Sequence, residues 1–258
     1  MSKEARNKAR ELRLQQQREA ERKKKRNAII GWAGGIIIVA LLAAIVVVVI
    51  NAAGKNSSTS NAGGNGTVTA PAGATANGGI VIGESSAPVT VQVYFDYMCP
   101  YCGQFEKANS SELSRLIYTG KLKLELHPLN FLDEQSNGGR YSTRSANALA
   151  TVADKVPGLV LAFNTALFTD QPKEGTKGLS DDKIADVAKN AGVPAAVADS
   201  FTAGTYEGWI TQSTQTALTK DGVSATPTIK INGKVFGGDL LTAGPLTQAI
   251  EAAAGSKG

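Results

Sequence analysis

Apolar and polar residues alternate in Val89-Thr90-Val91-Gln92-Val93-Tyr94-Phe95, the two-residue period of a strand with one face buried. From Phe105 the period lengthens. Phe105, Ala108, Leu113, Leu116 and Ile117 fall on one side of a helix ending near Gly120. Alternation returns over residues 121–127, where Leu122, Leu124 and Leu126 share a face and Glu125 takes the opposite parity. Further on, residues 227–231, Asn232-Gly233 and residues 234–236 read as a hairpin, because Asn-Gly accepts the positive φ angles of a two-residue turn. A last helix follows, with Pro245 near its start, Leu246 and Ile250 on its buried face and Gly255 beyond its end.

Between these halves, residues from about 140 to 220 carry no strand pattern. Ala146, Leu149, Ala150 and Ala153 have helical spacing, as do Ile184, Val187, Ala188 and Ala191 behind Ser180-Asp181-Asp182, a cap and two acids suited to a helix start. Pro194 opens a short helix, and Trp209-Ile210 lie on another. Phe163, Phe168, Phe201 and Trp209 are expected to pack between these helices and not to contact a ligand.

The pattern before residue 80 is different in kind. Ala28 to Ile50 is a continuous apolar run without a charged residue, long enough as a helix to span a bilayer core. Its apolar centre exceeds that of a cleaved signal peptide, which predicts an uncleaved transmembrane signal anchor over 28–50. Residues 22–26 on its N-terminal side are all charged and positive, against Lys55 just beyond the other end, so the N-terminus is expected in the cytoplasm. Residues 51–79 are mainly Gly, Ser, Ala, Asn and Thr and predict a disordered linker with a span on the order of 25–30 Å. The organisation expected is therefore a basic cytoplasmic tail over 1–27, the anchor, the linker and one extracytoplasmic domain over 80–258. Asn56, Asn65 and Asn109 begin Asn-x-Ser/Thr sequons.

Charge supports that partition. The net charge of +5 arises from 27 Lys and Arg against 22 Asp and Glu. Residues 1–27 hold eleven basic and four acidic side chains, which leaves sixteen and eighteen for the remainder. A slightly negative domain has no basic surface to track a phosphate backbone, which argues against nucleic acid as a partner. The basic tail is expected to set orientation and touch anionic lipid.

The candidate chemistry sits where the first strand meets the first helix, in Cys99-Pro100-Tyr101-Cys102. These are the only two cysteines of the chain. Cys99 is expected at or before the N-cap and Pro100 at the first helical position, where a missing N–H costs nothing. A sulfur there faces unpaired N–H groups and the positive end of the helix, which favour thiolate over thiol. Cys99 is thus the candidate nucleophile and Cys102, one turn along and facing inward, the resolving thiol. A zinc site needs about four ligands, whereas the chain offers two cysteines and the single histidine, His127. A structural Cys-x-x-Cys disulfide closes too short a loop to stabilise much.

The run from Ile80 through Ala87-Pro88-Val89-Thr90, then Phe95-Asp96-Tyr97-Met98-Cys99-Pro100-Tyr101-Cys102, and Gly222-Val223-Ser224-Ala225-Thr226-Pro227-Thr228 resembles the DsbA-like branch of the thioredoxin superfamily. The resemblance covers the whole exported domain. It implies an α/β thioredoxin fold with a helical insertion at about 140–220. It also implies a cis peptide at Thr226-Pro227 packed against the active disulfide; the residues alone equally allow an ordinary trans strand start. Pro100, Tyr101, Thr226 and Pro227 are then the residues expected to face substrate, with no metal and no organic cofactor.

Two departures from that family stand out. The acid that relatives bury six positions before the first cysteine is Val93 here, and Asp96, three before, does not simply inherit its role. Glu125 is a possible substitute, although a surface carboxylate is the preferred reading. Tyr101 replaces the histidine of strongly oxidising members and supplies no cationic charge to a thiolate. The couple is expected nearer the roughly −180 to −230 mV of isomerases and glutaredoxins than about −120 mV. Cys-Pro-Tyr-Cys is also the glutaredoxin signature, so the motif alone leaves direction open.

The expected activity is a membrane-tethered thiol-disulfide oxidoreductase that forms disulfides in reduced exported proteins. By resemblance its redox partner is a quinone-linked membrane oxidase. A reductase or isomerase fed by a membrane electron donor, or a thiol-independent peptide-binding chaperone, are the alternatives.

Overall fold

The computed structural model describes residues 68–255. The basic tail, the apolar run over 28–50 and most of the expected linker lie outside them. Among the described residues, no helix is long and apolar enough to cross a membrane.

Five strands form one mixed sheet in the order β1-β3-β2-β4-β5. They are β1 (Ile80–Ile82), β2 (Val89–Phe95), β3 (Leu122–Pro128), β4 (Thr228–Ile231) and β5 (Lys234–Val235). Strands β2 and β3 run parallel, as they must when a helix crosses between them, and the other three pairings are antiparallel. That crossover is helix α1 (Pro100–Tyr118). The hairpin turn at Asn232 and Gly233 has φ of 49° and 80°, the left-handed pair that Asn-Gly supplies at little steric cost. Strand β1 went unrecognised in the sequence because three residues are too short to establish a period.

Alternation divides the sheet into two chemically different faces. Val89, Val91, Val93 and Phe95 of β2, with Leu122, Leu124 and Leu126 of β3, are buried and join Phe105, Leu113 and Leu116 of α1 in one core. The last helix, named α7 below, adds Leu246 and Ile250 to that core. The opposite face carries Gln92, Tyr94, Lys123, Glu125, His127 and Lys230. There Tyr94 packs with Leu129, Ala217 and Val223 in a smaller cluster.

Between β3 and β4 lie five α-helices: α2 (Tyr141–Lys155), α3 (Val160–Thr169), α4 (Asp181–Asn190), α5 (Ala195–Ala198) and α6 (Glu207–Thr219). Helix α7 spans Pro245–Gly255, so Gly255 is its last residue and not the one beyond it. Ser180 caps α4 by accepting the Lys183 N–H at 3.3 Å. Helix α3 escaped the periodicity because its sequence, Val-Leu-Ala-Phe-Asn-Thr-Ala-Leu-Phe-Thr, is apolar on nearly every side. Phe163, Phe168, Phe201 and Trp209 are all buried, and the rings of Phe163 and Phe201 stack at 5.7 Å.

Two expectations change. Residues just before 80, read as linker, are held to the domain: the Ala72 N–H donates to Asp154 at 2.8 Å, the Gly79 N–H donates to Thr75 at 2.7 Å, and Gly78 and Gly79 are buried. Backbone hydrogen bonding of small residues replaces the large apolar groups whose absence suggested disorder. Asn109, which begins a sequon, is buried, and its amide donates to the carbonyls of Phe105 and Leu240. Glu125, expected as a surface carboxylate, is buried. Its carboxylate accepts from Gln92 at 3.1 Å, pairs with Lys123 at 3.2 Å and is held below the usual carboxylate range, first by His127.

Leu116 is fully buried between α1 and the sheet. Leu116→Ala is expected to cost about 2–5 kcal/mol in a urea unfolding titration, with the slope against urea unchanged.

Candidate active site

Strand β2 ends at Phe95 and α1 begins at Pro100, so four residues turn the chain through the site. Asp96 builds that turn. Its Oδ1 accepts the Met98 N–H at 2.8 Å, and its carbonyl accepts the Cys99 N–H at 3.1 Å. Cys99 is the N-cap of α1 in extended conformation, with φ −74° and ψ 116°, and Pro100 holds the first helical position. No acidic residue lies in the first turn of α1 to neutralise its positive end.

Both cysteines are free thiols. Cys99 is 5% exposed and Cys102 wholly buried. The Cys99 thiol is held down at about 6, first by a hydrogen bond from Cys102, then by Thr226 and the N–H groups of Cys102 and Tyr101, all against burial. The Cys102 thiol is pushed well above its usual range by burial and by the neighbouring Cys99 sulfur. Helix-terminal N–H groups contribute as the sequence implied, but the second thiol is the larger influence.

The partner segment arrives from far along the chain. Antiparallel pairing sets Tyr94 opposite Thr228, which brings Thr226 and Pro227 alongside the β2–α1 turn. Cys99 Sγ lies 3.3 Å from the Thr226 carbonyl oxygen, and the Thr226-Pro227 peptide is cis. Tyr101 is 57% exposed beside the pair, whereas Thr226 and Pro227 are half-buried. Cys99, Cys102, Pro100, Tyr101, Thr226 and Pro227 thus form one cluster.

The helical layer braces this cluster with residues that the sequence left unmarked. Gln171, just past α3, donates through Nε2 to the carbonyls of Tyr97 at 2.9 Å and Cys99 at 2.8 Å. A Cβ on Gly103 would stand 2.3 Å from Gln171 Oε1, so only glycine admits the clamp without displacement. The Tyr97 hydroxyl donates to Asn164 at 2.7 Å, and the Phe168 ring lies 4.8 Å from that of Tyr97 and 5.6 Å from that of Phe95. Asp96 is completely buried and also accepts from Ser142 on α2 at 2.6 Å and from the Leu132 N–H at 2.9 Å. An Asp two residues before a backbone N–H is a recognisable turn signal; the long-range partners of Asp96 and Gln171 leave no trace in local sequence.

Glu125 and His127 do not join the site. Both lie on the sheet face opposite Val93 and α1, where the His127 ring stacks on Tyr94 with centroids 4.2 Å apart. Among the described residues no group of three or more His, Cys, Asp or Glu side chains could hold a metal ion.

This geometry predicts a titration. In the reduced protein, Cys99 alkylation is expected to be fast above about pH 6 and to fall below it as the thiolate gains its proton. Cys102→Ala removes the largest stabilising hydrogen bond, so the midpoint is expected to move upward in a pH series of iodoacetamide rates.

Known proteins agree with the fold. A family described as Thioredoxin matches residues 75–252. The serine/threonine-protein kinase PknE of Mycobacterium tuberculosis is 35% identical over 120 residues, 45% of this chain and 21% of the kinase, so the chain spans about a fifth of that relative. The structure of DsbA from Mycobacterium tuberculosis shares 26% identity with a TM-score of 0.56, covering 68% of this chain and 98% of that one. MdbA, a thiol-disulfide oxidoreductase from Actinomyces oris, shares 26% identity with a TM-score of 0.61, covering 70% and 88%. With a Cys-x-x-Cys turn at the start of α1, a cis-proline loop beside it and a family match across nearly all of the described domain, the chain belongs to the thioredoxin family, as a DsbA-like member.

Proposed function

We propose that this chain is a thiol-disulfide oxidoreductase, tethered to a membrane through residues 28–50, that introduces disulfides into exported proteins. The difference between the two sulfurs carries the reading. Cys99 is the more accessible thiol and the better thiolate, while Cys102 is buried and favours its proton. A substrate thiolate attacks Cys99 Sγ of the Cys99–Cys102 disulfide and forms a mixed disulfide. The bonding pair leaves on Cys102, which takes up one proton. A second substrate thiolate then attacks the substrate sulfur, the substrate disulfide closes, and Cys99 departs as thiolate. Two electrons have passed to the enzyme. A stabilised Cys99 thiolate is a good leaving group, which favours this direction.

Thr226 and Pro227, with Tyr101 exposed beside them, are the residues assigned to receive an extended substrate segment. Reoxidation falls to a membrane partner, by resemblance a quinone-linked oxidase. The apolar run over 28–50, with its basic flank, supports both the tether and an extracytoplasmic catalytic domain. One observation favours a reductase or isomerase on the same fold, supplied by an electron donor. Tyr101 offers Cys99 no cation, and a thiolate less favoured than in a strong oxidase makes a less oxidising couple.

Trapping decides between them. Cys102→Ala incubated with a reduced exported substrate and oxidant is expected to accumulate a reductant-sensitive mixed disulfide on Cys99, and Cys99→Ala to accumulate none. Disulfide formation that survives Cys99→Ala would refute the oxidase reading. A Cys99–Cys102 potential below about −250 mV in glutathione buffers would favour the reductase.

A further inference from the structure

We propose that Asp96 is the buried charge that opposes the Cys99 thiolate and so limits how strongly the Cys99–Cys102 disulfide oxidises. The inference rests on the exchange chemistry proposed above and assigns it a positioning residue. Asp96 is wholly buried, between the β2–α1 turn and the helical layer. Its carboxyl has three neutral hydrogen-bond donors, the N–H groups of Met98 and Leu132 and the hydroxyl of Ser142, at 2.8, 2.9 and 2.6 Å. Its backbone is also tied to the two reacting residues. The Asp96 carbonyl accepts the Cys99 N–H, and its own backbone hydrogen-bonds toward the Cys102 sulfur.

The neighbouring ionisable groups are Cys99 at the N-cap of α1 and Cys102 in its first turn, Tyr97 in the β2–α1 turn, Asp133 next to Leu132, and on α2 Arg144 and the Tyr141 phenol, whose ionisation Asp96 opposes. Burial pushes the Asp96 carboxyl up to about 7 against its three donors, and the Cys99 thiolate adds to the rise. Coupling between two charges is reciprocal: whatever the thiolate costs the carboxylate, the carboxylate costs the thiolate. When the disulfide takes two electrons, Cys102 takes one proton and Cys99 remains anionic. Asp96 then either takes a second proton or holds a like charge beside the thiolate. Above the Asp96 titration the second case applies, and reduction is disfavoured.

The test is the equilibrium of the full-length protein with glutathione across pH 5 to 9, with thiolate absorbance followed in parallel. D96N is expected to match wild type well below pH 7 and to become more oxidising as pH rises through it. The expected gap is roughly tenfold in the equilibrium constant, one unit of Cys99 acidity. A purely structural role would change thermal stability without this pH-dependent gap. Should D96N not fold, S142A decides, because its hydroxyl touches neither sulfur. Loss of that donor destabilises the carboxylate, so S142A is expected to be more oxidising than wild type near pH 7 and to converge with it at high pH. A variant within twofold of wild type throughout, or less oxidising, overturns the assignment of Asp96. A wild type that never equilibrates with glutathione overturns the exchange reading itself.

Discussion

The site depends on one contact made across the sheet: the meeting of the Cys99 sulfur with Thr226, 127 positions along the chain. Neither segment could form it alone. The β2–α1 turn supplies a sulfur at a helix start, and the antiparallel register of β2 with β4, Val93 against Ile229 and Tyr94 against Thr228, delivers the loop before β4 to it. A slip of one residue in that pairing would turn Ile229 out of the core and move Thr226 away. The same alternation of apolar side chains that builds the core therefore sets the distance at the site.

The helical layer contributes rigidity of a different origin. Gln171 fastens two carbonyls of the turn, and the Cys99 carbonyl also accepts the N–H groups of Cys102 and Gly103. Several directional bonds and the ring packing of Tyr97 with Phe168 fix the turn against a core that is close-packed and resists displacement. Exchange between two sulfurs requires near-linear approach at a defined place, so a turn held this way contributes to the reaction through position.

Much of this was legible from residues 89 to 128 and 227 to 250, where the period of two or nearly four is uninterrupted and caps stand at the ends. The two cysteines were legible because a helix start has known electrostatics. What escaped has physical reasons as well. Helix α3 is apolar nearly all round and shows no face, β1 has three residues, and Gln171 is a polar residue in a loop whose partners lie more than 70 positions away. Glu125 misled because parity placed it opposite the leucines, a position that is solvent-exposed on an open sheet but lies here among Gln92, Lys123 and His127.

The absence of an acid at position 93 then acquires a structural meaning. Val93 pairs with Leu126 in the ladder, and both lie with Phe95, Phe105 and Phe168 in the apolar space between α1, α3 and the sheet. That space already holds the Glu106 carboxylate, which accepts from the Thr165 hydroxyl at 2.6 Å, and a valine at 93 spares it a second buried charge and the desolvation cost that goes with one. At position 96 the chain has left the strand, and three donors from the turn, the loop after β3 and the start of α2 converge on one side chain. A buried negative charge has its donors ready there. The shift moves the acid from under the buried sulfur to beside the reactive one, where its charge acts on the stability of the Cys99 thiolate, the quantity that decides how readily the disulfide is reduced.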